Sequence, residues 1–400
     1  MNIDMMRKMD YWMGIPLCFL STYLLKPSFV LNSPRKPKNV LMIELSEMGS
    51  AILCDPMMQK LKNDGKKLHF VIFKKNAPSL SLLNTVEKDN IFTIREDSLF
   101  TLLIDTFSFL FWCRKKEIDS VIDLELFSRF TALLTGFSGA VNRVGYHSFF
   151  NEGLYRGDIL THKVAYNPHL HISKNFIALA NALLSSAKET PYSKKVITED
   201  EIKLQKAIIS IEDKENILLK VKQTTPSFDQ TTQHIVIFNA NASDLMPLRR
   251  WPREYYIELG VRLLENYPDI IILLTGAPSE REGLDHIRIA LGTRCINFAG
   301  STTFSELAPL YSISRLMLTN DSGPAHFAAV TDLPTFVFFG PETPALYGSL
   351  GNFTPLYANL ACSPCVSAAN HRKTACDDNQ CVKVITPNYV YTVLSNELDQ

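Results

Sequence analysis

The sequence predicts an α/β protein built from two doubly wound halves. Its 400 residues exceed what a single hydrophobic core usually fills, so two domains are expected. Short apolar runs alternate with stretches of helical periodicity across 38–185 and again across 233–400. This alternation predicts parallel sheets covered by helices on both faces. The charged and polar segment 186–232 is interpreted as a linker with one exposed helix at 200–222.

The predicted strands follow the apolar runs in chain order. In the first half the runs alternate with helical stretches. The last predicted helix is followed by a turn that leads into the segment 143–147. In the second half, Pro252 stands at a position that favours the first turn of a helix. The strands are predicted at 38–45, 67–75, 91–96 and 119–125, and then at 234–242, 269–278, 295–301, 315–321 and 333–341.

A basic and aromatic segment, 1–37, precedes the first strand. The stretch 11–25 has no charged residue, and cations flank it on both sides. Fifteen helical residues reach about 22 Å, short of the roughly 30 Å hydrocarbon core, and Pro16 would interrupt a straight helix. The segment is therefore predicted to anchor the chain at an anionic membrane surface, and the alternative is a helix packed on its own protein. The aromatic residues that suit a headgroup layer are Tyr11, Trp12, Phe19 and Tyr23.

The composition narrows the class of function. A formal net charge of +0 gives no reason to expect a nucleic-acid partner. A hydrophobic fraction of 46% with 20% charged residues is typical of a folded soluble enzyme.

The strongest candidate site lies in the window 314–344. A predicted strand at 315–319 leads through a tight loop into a helix that begins near Gly323. In open α/β sheets, ligands bind beyond the carboxyl ends of strands, where loops meet helix N-termini. Gly323 lets the backbone approach a ligand closely, and Pro324 suits the first helical turn.

The loop residues suit a diphosphate. Unpaired N–H groups and the positive end of a helix dipole attract phosphate oxygens. His326 falls in the first turn and can bond a phosphate oxygen or a leaving group. The alternative is that Asp321 and Ser322 only cap the helix and that His326 is a surface histidine.

The same window resembles the signature of glycosyltransferase family 9, the ADP-heptose:lipopolysaccharide heptosyltransferases. That family has an Asp-Ser/Thr-Gly-x-x-His loop, an Ala-Ala helix and a strand that ends in Phe/Tyr-Gly-Pro-Thr-x-Pro. These elements stand here at 321–326, 328–329 and 339–344. Four further segments are similar to the family in the same order, at 40–62, 119–146, 249–259 and 273–283.

The resemblance implies a GT-B fold, in which two Rossmann-like domains face a cleft, with the donor held mainly by the C-terminal domain. The donor implied is a nucleotide-diphosphate sugar, ADP-heptose. Arg249 or Arg250 would neutralise its phosphates, and Arg is well shaped for that contact. Glu280 would accept from the ribose hydroxyls, and Thr302 or Thr303 would line the nucleoside pocket. The diphosphate and sugar would be held by Asp321, Ser322, Gly323 and His326.

One departure from the family concerns the general base. The family's presumed base is the Asp of a Ser-x-x-Gly-Asp loop, and Ser50 stands at that position here. A serine hydroxyl is too weak a base to deprotonate a sugar hydroxyl. The carboxylate is therefore expected from Glu47 in the same loop or from Asp55 at the next helix, or else the chain lacks transferase activity.

The reaction implied is inverting, and the acceptor face is expected on the N-terminal domain. No Asp-x-Asp clamp occurs in a suitable loop, so no obligatory metal is expected. The candidates for contact with an anionic glycolipid are Arg129, Arg143, His147, His169 and His171.

Four of the eight cysteines are grouped within 362–381. Cys362, Cys365, Cys376 and Cys381 have the spacing Cys-x2-Cys-x10-Cys-x4-Cys. Four thiolates can bind structural zinc, although the last spacing is looser than that of a typical zinc ribbon. The alternative is a reduced, cysteine-lined loop, because disulfides are disfavoured in the cytosol.

The favoured function is transfer of a sugar, expected to be heptose, to a lipopolysaccharide core or related glycolipid. The expected location is the cytoplasm of a bacterium, peripheral on the inner face of the cytoplasmic membrane. One alternative, suggested by Ser50, is an inactive family member that binds glycan or nucleotide-sugar. Another is a GT-B transferase with a polysaccharide or protein acceptor, suggested by Glu342 at a position where the family usually has Thr.

Overall fold

The chain forms two compact units. One comprises residues up to Lys203 together with 367–372, and the other comprises 204–366 and 373–400. The division after Lys203 falls inside the segment that the sequence predicts as a linker. The computed structural model describes residues 3–31, 35–150, 152–244, 246–367, 370 and 372–400.

Six parallel strands form the sheet of the first unit. They are β1 Asn39–Ile43, β2 Lys67–Phe73, β3 Ile91–Ile94, β4 Ser120–Asp123, β5 Asn142–Tyr146 and β6 His162–Val164. Their order is β3-β2-β1-β4-β5-β6, so the direction of winding reverses between β1 and β4. Met42 pairs with Phe70 on one side and with Ile122 on the other. All three side chains are fully buried, as expected for a parallel sheet covered on both faces.

Among the described residues of this unit, seven α-helices accompany the sheet. They are α1 Ile3–Trp12, α2 Gly14–Leu31, α3 Met48–Leu53, α4 Asp55–Asn63, α5 Leu99–Lys115, α6 Arg129–Phe137 and α7 Ile172–Leu184. Ser98 begins α5 through a capping box with Thr101, and Ser128 caps α6 by accepting from the N–H of Thr131. Among the described residues, no helix combines the length and apolar character needed to cross a bilayer.

The N-terminal segment packs on its own protein. Helix α2 lies against α6 and buries Cys18 there. Asp10 accepts hydrogen bonds from the N–H groups of Arg129 at 2.8 Å and Phe130 at 3.0 Å, which satisfies two free donors at the start of α6. The predicted interruption of a straight helix at Pro16 is confirmed, because the helical segment breaks at Met13, and Pro16 lies in the first turn of the new helix α2.

The second unit repeats the topology of the first. Its strands are β7 His234–Asn239, β8 Ile270–Leu274, β9 Cys295–Asn297, β10 Ser314–Asn320, β11 Thr335–Phe339 and β12 Phe353–Tyr357. Their order is β12-β11-β10-β7-β8-β9, all parallel, so the winding reverses between β7 and β10. The outer strands β6 and β12 were not predicted from the sequence. They are short or partly exposed and lack a long apolar run.

The helices of the second unit are α8 Ile211–Thr224, α9 Arg253–Asn266, α10 Arg281–Leu291, α11 Leu307–Ser312, α12 Gly323–Ala328, α13 Pro344–Tyr347, α14 Gln380–Lys383 and α15 Pro387–Leu398. The prediction of a helix at 200–222 is wrong about where the helix begins. Ser210 and Asp213 form a capping box that fixes the beginning of α8, whereas 200–202 is a separate 3₁₀ turn.

Candidate active site

The loop 321–326 follows β10 at the point where the winding of the second sheet reverses. Loops at this edge are where open α/β sheets bind their ligands. Asp321 and His326 are only 5% and 7% exposed, so this short loop turns its polar side chains inward. A Cβ atom on Gly323 would lie 2.8 Å from the ring of Phe327, so glycine permits the close approach of loop and helix here. His326, in the first turn of α12, is therefore buried, and the alternative of a surface histidine is wrong.

One arginine of the predicted pair faces this loop. The Nε of Arg249 lies 3.3 Å from Oδ2 of Asp321, and an Nη atom lies 3.6 Å from Oε1 of Glu342. These separations exceed the roughly 2.8 Å of a charge-assisted hydrogen bond, so the guanidinium is loosely held between two carboxylates. Arg250 points elsewhere, because it donates to the carbonyl of Ala242 at 3.0 Å and forms an ion pair with Asp244. The structure thus favours Arg249 as the cation beside the loop.

Trp251 fixes the segment that carries Arg249. Its backbone N–H donates to Oδ1 of Asn320 at 2.9 Å, and its indole N–H donates to the carbonyl of Ile385 at 2.8 Å. The indole also stacks on Phe338, with ring centroids 4.4 Å apart. Asn320 donates in turn to the carbonyl of Asn241 at 3.2 Å. The end of β10 is therefore tied to the Arg249–Trp251 segment.

Sequence reasoning missed the part played by Asn320. The available signal was an amide at the last position of a strand with an apolar centre, directly before the loop. A buried amide needs hydrogen-bond partners, and those partners here come from segments 69 and 79 residues away.

The residues predicted to contact the nucleoside and ribose cap short helices. Oε2 of Glu280 accepts from the N–H of Ala277 at 2.6 Å at the start of a 3₁₀ turn. Thr303 forms a capping box with Glu306, with a 2.7 Å bond from its N–H to Oε2 of Glu306. Thr302 is partly buried in the same loop. Glu280 and Thr303 thus stand at the carboxyl edge of the sheet with their side chains already engaged.

In the first unit, Glu47 and Ser50 meet at the start of α3. Glu47 is the residue before the helix, and its Oε2 accepts from the hydroxyl of Ser50 at 3.2 Å. Its Oε1 forms an ion pair with Arg372, whose guanidinium also lies over the ring of Phe127 at 5.4 Å. The side chain of Glu47 remains 39% exposed. A carboxylate thus occupies this loop although the position of the family's Asp carries a serine.

Two further carboxyl groups lie beneath this loop, and sequence reasoning missed both. Oε1 of Glu125 accepts from the N–H groups of Leu45 and Ser46 at 3.2 Å each and from the hydroxyl of Ser46 at 2.8 Å. Glu44 is only 4% exposed, and burial together with the charges of Glu125 and Glu47 raises its pKa well above the ordinary value. A Glu directly after a buried strand, as at Glu44, was the available signal.

Asp123 ends β4 beside these groups. It forms an ion pair with Arg156, and Arg156 also donates to the carbonyl of Ser128 at 2.9 Å. Burial raises the pKa of Asp123 to about 6, although the charge of Arg156 acts in the opposite direction. The carboxyl edge of β1 and β4 is therefore strongly acidic.

Asp55, the other predicted base, is placed in the core. It is 1% exposed and accepts a hydrogen bond from the hydroxyl of Thr85. Burial raises the pKa of its carboxyl group. A proton acceptor must reach a substrate hydroxyl, so this placement favours Glu47 over Asp55.

Several residues predicted for the acceptor face have structural roles. Arg143 is buried and donates to the carbonyl of Ile159 at 2.7 Å, and burial lowers its pKa to about 10. Arg129 is buried and pairs with Asp10 at 3.1 Å. The ring of His171 accepts from the N–H of Ser173 and caps α7. Acceptor contact is thus wrong for Arg129 and Arg143, because their guanidinium groups are already engaged inside the protein. His147 and His169 lie in or beside loops after β5 and β6.

The cysteines of 362–381 do not form a metal site in the part of the chain that the structure describes. Among the described residues none of the four forms a disulfide, and Cys362 and Cys376 are exposed whereas Cys381 is buried. Burial, and then the neighbouring cysteines, raise the pKa of Cys381 to about 11. No three His, Cys, Asp or Glu side chains among the described residues gather as metal ligands, so the prediction of structural zinc has no support.

Comparison with known proteins identifies relatives of this arrangement. The model of glycosyltransferase family 9 (heptosyltransferase) matches residues 112–375. Lipopolysaccharide heptosyltransferase 2 of Escherichia coli K12 is 28% identical over 142 residues, which cover 34% of this chain and 38% of that protein. Lipooligosaccharide heptosyltransferase 2 of Campylobacter jejuni (serotype O:2) is 28% identical over 184 residues, 45% of this chain and 56% of that protein. The chain thus spans between about a third and just over half of the curated relatives it matches.

Solved structures show the same fold over most of the chain. The structure of E. coli ADP-heptose LPS heptosyltransferase II has a TM-score of 0.68 and 20% identity, covering 90% of this chain and 98% of that one. E. coli heptosyltransferase WaaC with ADP has a TM-score of 0.61 and 17% identity, covering 90% and 99%. These likenesses confirm the expected fold class of two Rossmann-like domains of the GT-B type.

Proposed function

The chain belongs to glycosyltransferase family 9, and from that premise we propose that it transfers heptose from ADP-heptose to the core of a lipopolysaccharide, with inversion at the anomeric carbon. The observation that carries the proposal is the placement of Arg249 beside Asp321, in the loop that follows β10. A cation and a buried polar loop at the switch point of a doubly wound sheet suit a nucleotide diphosphate.

On the donor side, Arg249 contacts the diphosphate and stabilises the charge that develops as the nucleotide leaves. Such preorganised electrostatic stabilisation is usually the largest single contribution to catalysis. His326 and Ser322 contact the phosphate oxygens and the sugar from the same loop. Glu342 lies against Arg249 and is 1% exposed, so its replacement of the usual Thr acts at the donor site and gives no reason to prefer a different acceptor.

On the acceptor side, Glu47 removes the proton from the attacking hydroxyl. The hydroxyl oxygen forms a bond to the anomeric carbon while the bond from that carbon to the diphosphate oxygen breaks. The proton passes to Glu47, and ADP departs with the electron pair. The hydrogen bond from Ser50 and the ion pair with Arg372 hold the Glu47 carboxylate in position.

The acceptor is a glycolipid, so the reaction takes place at a membrane. We place the protein in the bacterial cytoplasm, peripheral on the anionic inner face of the cytoplasmic membrane. The exposed aromatic residues of α1 and α2 support this placement, among them Trp12 at 75% and Tyr23 at 58% exposure.

An inactive, ligand-binding family member is the second candidate, and Ser50 is the observation that favours it. Such a protein would bind ADP-heptose without releasing ADP. Incubation with ADP-heptose and a heptose-deficient lipopolysaccharide separates the two candidates, because only the transferase adds the mass of one heptose to the acceptor.

Donor binding is tested with adjacent arginines. We expect Arg249→Met to weaken ADP binding roughly ten- to hundredfold, because a charge-assisted contact is lost. Arg250→Met is the matched control and should change the affinity by less than about twofold, because its exposed ion pair with Asp244 contributes little. Calorimetric titration with ADP, UDP and GDP measures both affinity and base preference. Equal losses in the two variants, or no preference for ADP, would contradict the donor assignment.

A further inference from the structure

Helix α5 carries an apolar surface that is left exposed by the residues the structure describes. Its inner side packs into the core of the first unit through Phe109 and Cys113. A helix at a protein surface usually turns polar residues outward. The outward side of α5 instead exposes large apolar side chains, namely Leu99 (40%), Phe100 (72%), Leu103 (49%), Ile104 (42%), Phe107 (61%) and Phe111 (77%).

Helices α1 and α2 expose a second apolar set in the same unit. One side of α2 is buried on α6, and the opposite side faces outward. The exposed members are Met5, Tyr11, Trp12, Met13, Leu17, Phe19, Leu20, Tyr23 and Leu24, each between 43% and 75% exposed.

The two sets flank the same helix. Helix α6 contacts α5, and it also contacts α1 and α2. Met6 of α1 reaches the core cluster that contains Phe109 of α5. We use the name α2–α5 face for the exposed apolar residues of α1, α2 and α5. Apolar patches beyond a few hundred Å² are rare on soluble proteins and indicate an interaction surface.

Among the described side chains of these helices, the exposed charged groups are positive. Helix α2 contains no acid, and α5 contains only Asp105, which is buried and binds Arg95 at 2.7 Å. Asp10 of α1 is engaged at the start of α6. The exposed cations are Arg7, Lys8, Lys26, Arg114 and Lys115.

We propose that the α2–α5 face is a membrane-docking surface, and that α5 inserts Phe100, Phe107 and Phe111 into the headgroup and acyl boundary of an anionic bilayer. Aromatic and aliphatic side chains bordered by Lys and Arg are the chemistry of interfacial helices. Anionic lipids attract such cations electrostatically. The inference rests on the proposed function, since a lipid-anchored acceptor brings its membrane to the enzyme.

The alternative occupant is a second copy of the chain. A symmetric pair would bring the basic patch of one copy against the same patch of the other, and no exposed acid of α2 or α5 is present to offset their repulsion. A bilayer with anionic headgroups supplies the opposite charge. The charge pattern therefore favours the bilayer.

Vesicle sedimentation tests the proposal with the full-length chain. Phosphatidylcholine vesicles with and without phosphatidylglycerol are pelleted with the wild type and with the triple variant Phe100→Ser/Phe107→Ser/Phe111→Ser. We expect the wild type to prefer the anionic vesicles. The triple variant should bind them about tenfold more weakly or worse, because its three substituted phenylalanine side chains no longer enter the interface. The matched control, Val196→Ser/Ile208→Ser/Ile211→Ser, changes three side chains that are 77% to 102% exposed and belong to none of α1, α2 and α5, and its binding should equal that of the wild type.

Substitution is preferable to deletion of the N-terminal helices, because Asp10 and Cys18 belong to the packing of α6. A second measurement uses the fluorescence of the exposed Trp12. Its emission maximum should shift to shorter wavelength when the wild type binds anionic vesicles. The shift should disappear in Trp12→Phe. Absence of any shift in the wild type would overturn the proposal, even if the triple variant failed to fold.

The outcomes separate the surface from the proposed function. Transfer to a delipidated core oligosaccharide should be equal in the wild type and the triple variant, since the substituted residues act only at the membrane. If the wild type binds anionic vesicles without transferring heptose, the proposed function fails and the surface stands. If it transfers heptose but does not prefer anionic vesicles, the surface fails alone. Light scattering that shows a dimer in the wild type and a monomer in the triple variant would assign the face to a second copy and overturn the proposal.

Discussion

The two units share one topology and differ in the charges at the edge where each sheet reverses its winding. In the first unit, Glu44, Glu47 and Glu125 gather at this edge. In the second unit, Arg249 lies between Asp321 and Glu342. The comparison teaches that topology fixes where a ligand or a reacting group is held, whereas the loop residues decide which chemistry is held there.

The difference matches two tasks in the proposed transfer. One edge supplies carboxylates, which accept protons, and the other supplies a cation, which receives phosphate. The carboxylates of the first unit are unequal, because Glu44 is buried with a raised pKa and Glu47 is partly exposed with a cationic partner. Among the carboxylates described at this edge, Glu47 is the one that a substrate can reach, which makes it the better candidate for the base.

The largest effect is expected for Glu47→Gln. This change keeps the shape of the side chain but removes its ability to accept a proton, so kcat should fall by about 10²- to 10⁴-fold while ADP affinity stays unchanged. Steady-state rates and calorimetric titration measure the two quantities. Ser50→Ala is the control, and it should cost far less because it removes only one hydrogen bond to the Glu47 carboxylate.

A second substitution sharpens this test. Ser50→Asp in the Glu47→Gln background restores a carboxylate at the family's position and should recover part of the lost rate. Full activity of Glu47→Gln alone would show that the base lies elsewhere.

An intermediate effect is expected for Trp251→Phe. The change leaves the buried carbonyl of Ile385 without its indole donor, which should lower the free energy of unfolding by about 1–3 kcal/mol. It should also weaken ADP binding, because Trp251 fixes the segment that carries Arg249. Chemical denaturation and titration measure both, with Tyr389→Phe on the exposed side of α15 as the control. Lower stability with unchanged ADP affinity would separate the packing of Trp251 from the donor site.

The smallest effect concerns the response of the first unit to acid. His69 on β2 is fully buried against Trp112, and neither of its ring nitrogens has a hydrogen-bond partner among the described residues. Burial, and then the charges of Lys116 and Lys67, lower its pKa from 6.5 to about 4. Below pH 6.5 the unfolded chain therefore binds a proton that the folded chain rejects, and stability is lost progressively as the pH falls towards 4.

When the pH falls from 7 to 5.5, protonation of His69 in the unfolded chain should lower the free energy of unfolding by about 1 kcal/mol. His69→Phe should remove that part of the acid sensitivity and leave the protein at least as stable at pH 7, since no buried hydrogen bond is lost. Thermal unfolding at the two pH values measures the difference. His286→Gln, an exposed change on α10, should leave the pH dependence as in the wild type. An identical loss of stability in His69→Phe and the wild type would refute the assignment.

Much of the fold could be predicted because the signal was local. Long apolar runs such as β7 and β10 and the strand–helix alternation predicted both doubly wound halves. The edge strands β6 and β12 escaped prediction because short or half-exposed strands carry little apolar signal. The start of α8 was misplaced because a capping box, rather than periodicity, decides it.

The site was predictable only in part, for a similar reason. The loop at Asp321–His326 is continuous in sequence and could be recognised. Sequence spacing could not show that the side chain of Asp55 points into the core, or that the guanidinium of Arg143 donates its hydrogen bonds to backbone carbonyls. Burial of a polar side chain depends on what packs around it, and those neighbours come from distant segments.

The sequence by itself determined the fold class, the family signature and the presence of a carboxylate near Ser50, because each is written in contiguous residues. Only the tertiary structure chose Arg249 over Arg250 and paired Glu47 with Arg372, 325 residues further along the chain. It alone brought α2 and α5, each with exposed apolar side chains, into contact with α6. The physical reason is that an ion pair or a surface is a relation between side chains in space, and chain folding brings together groups whose separation along the sequence carries no such information.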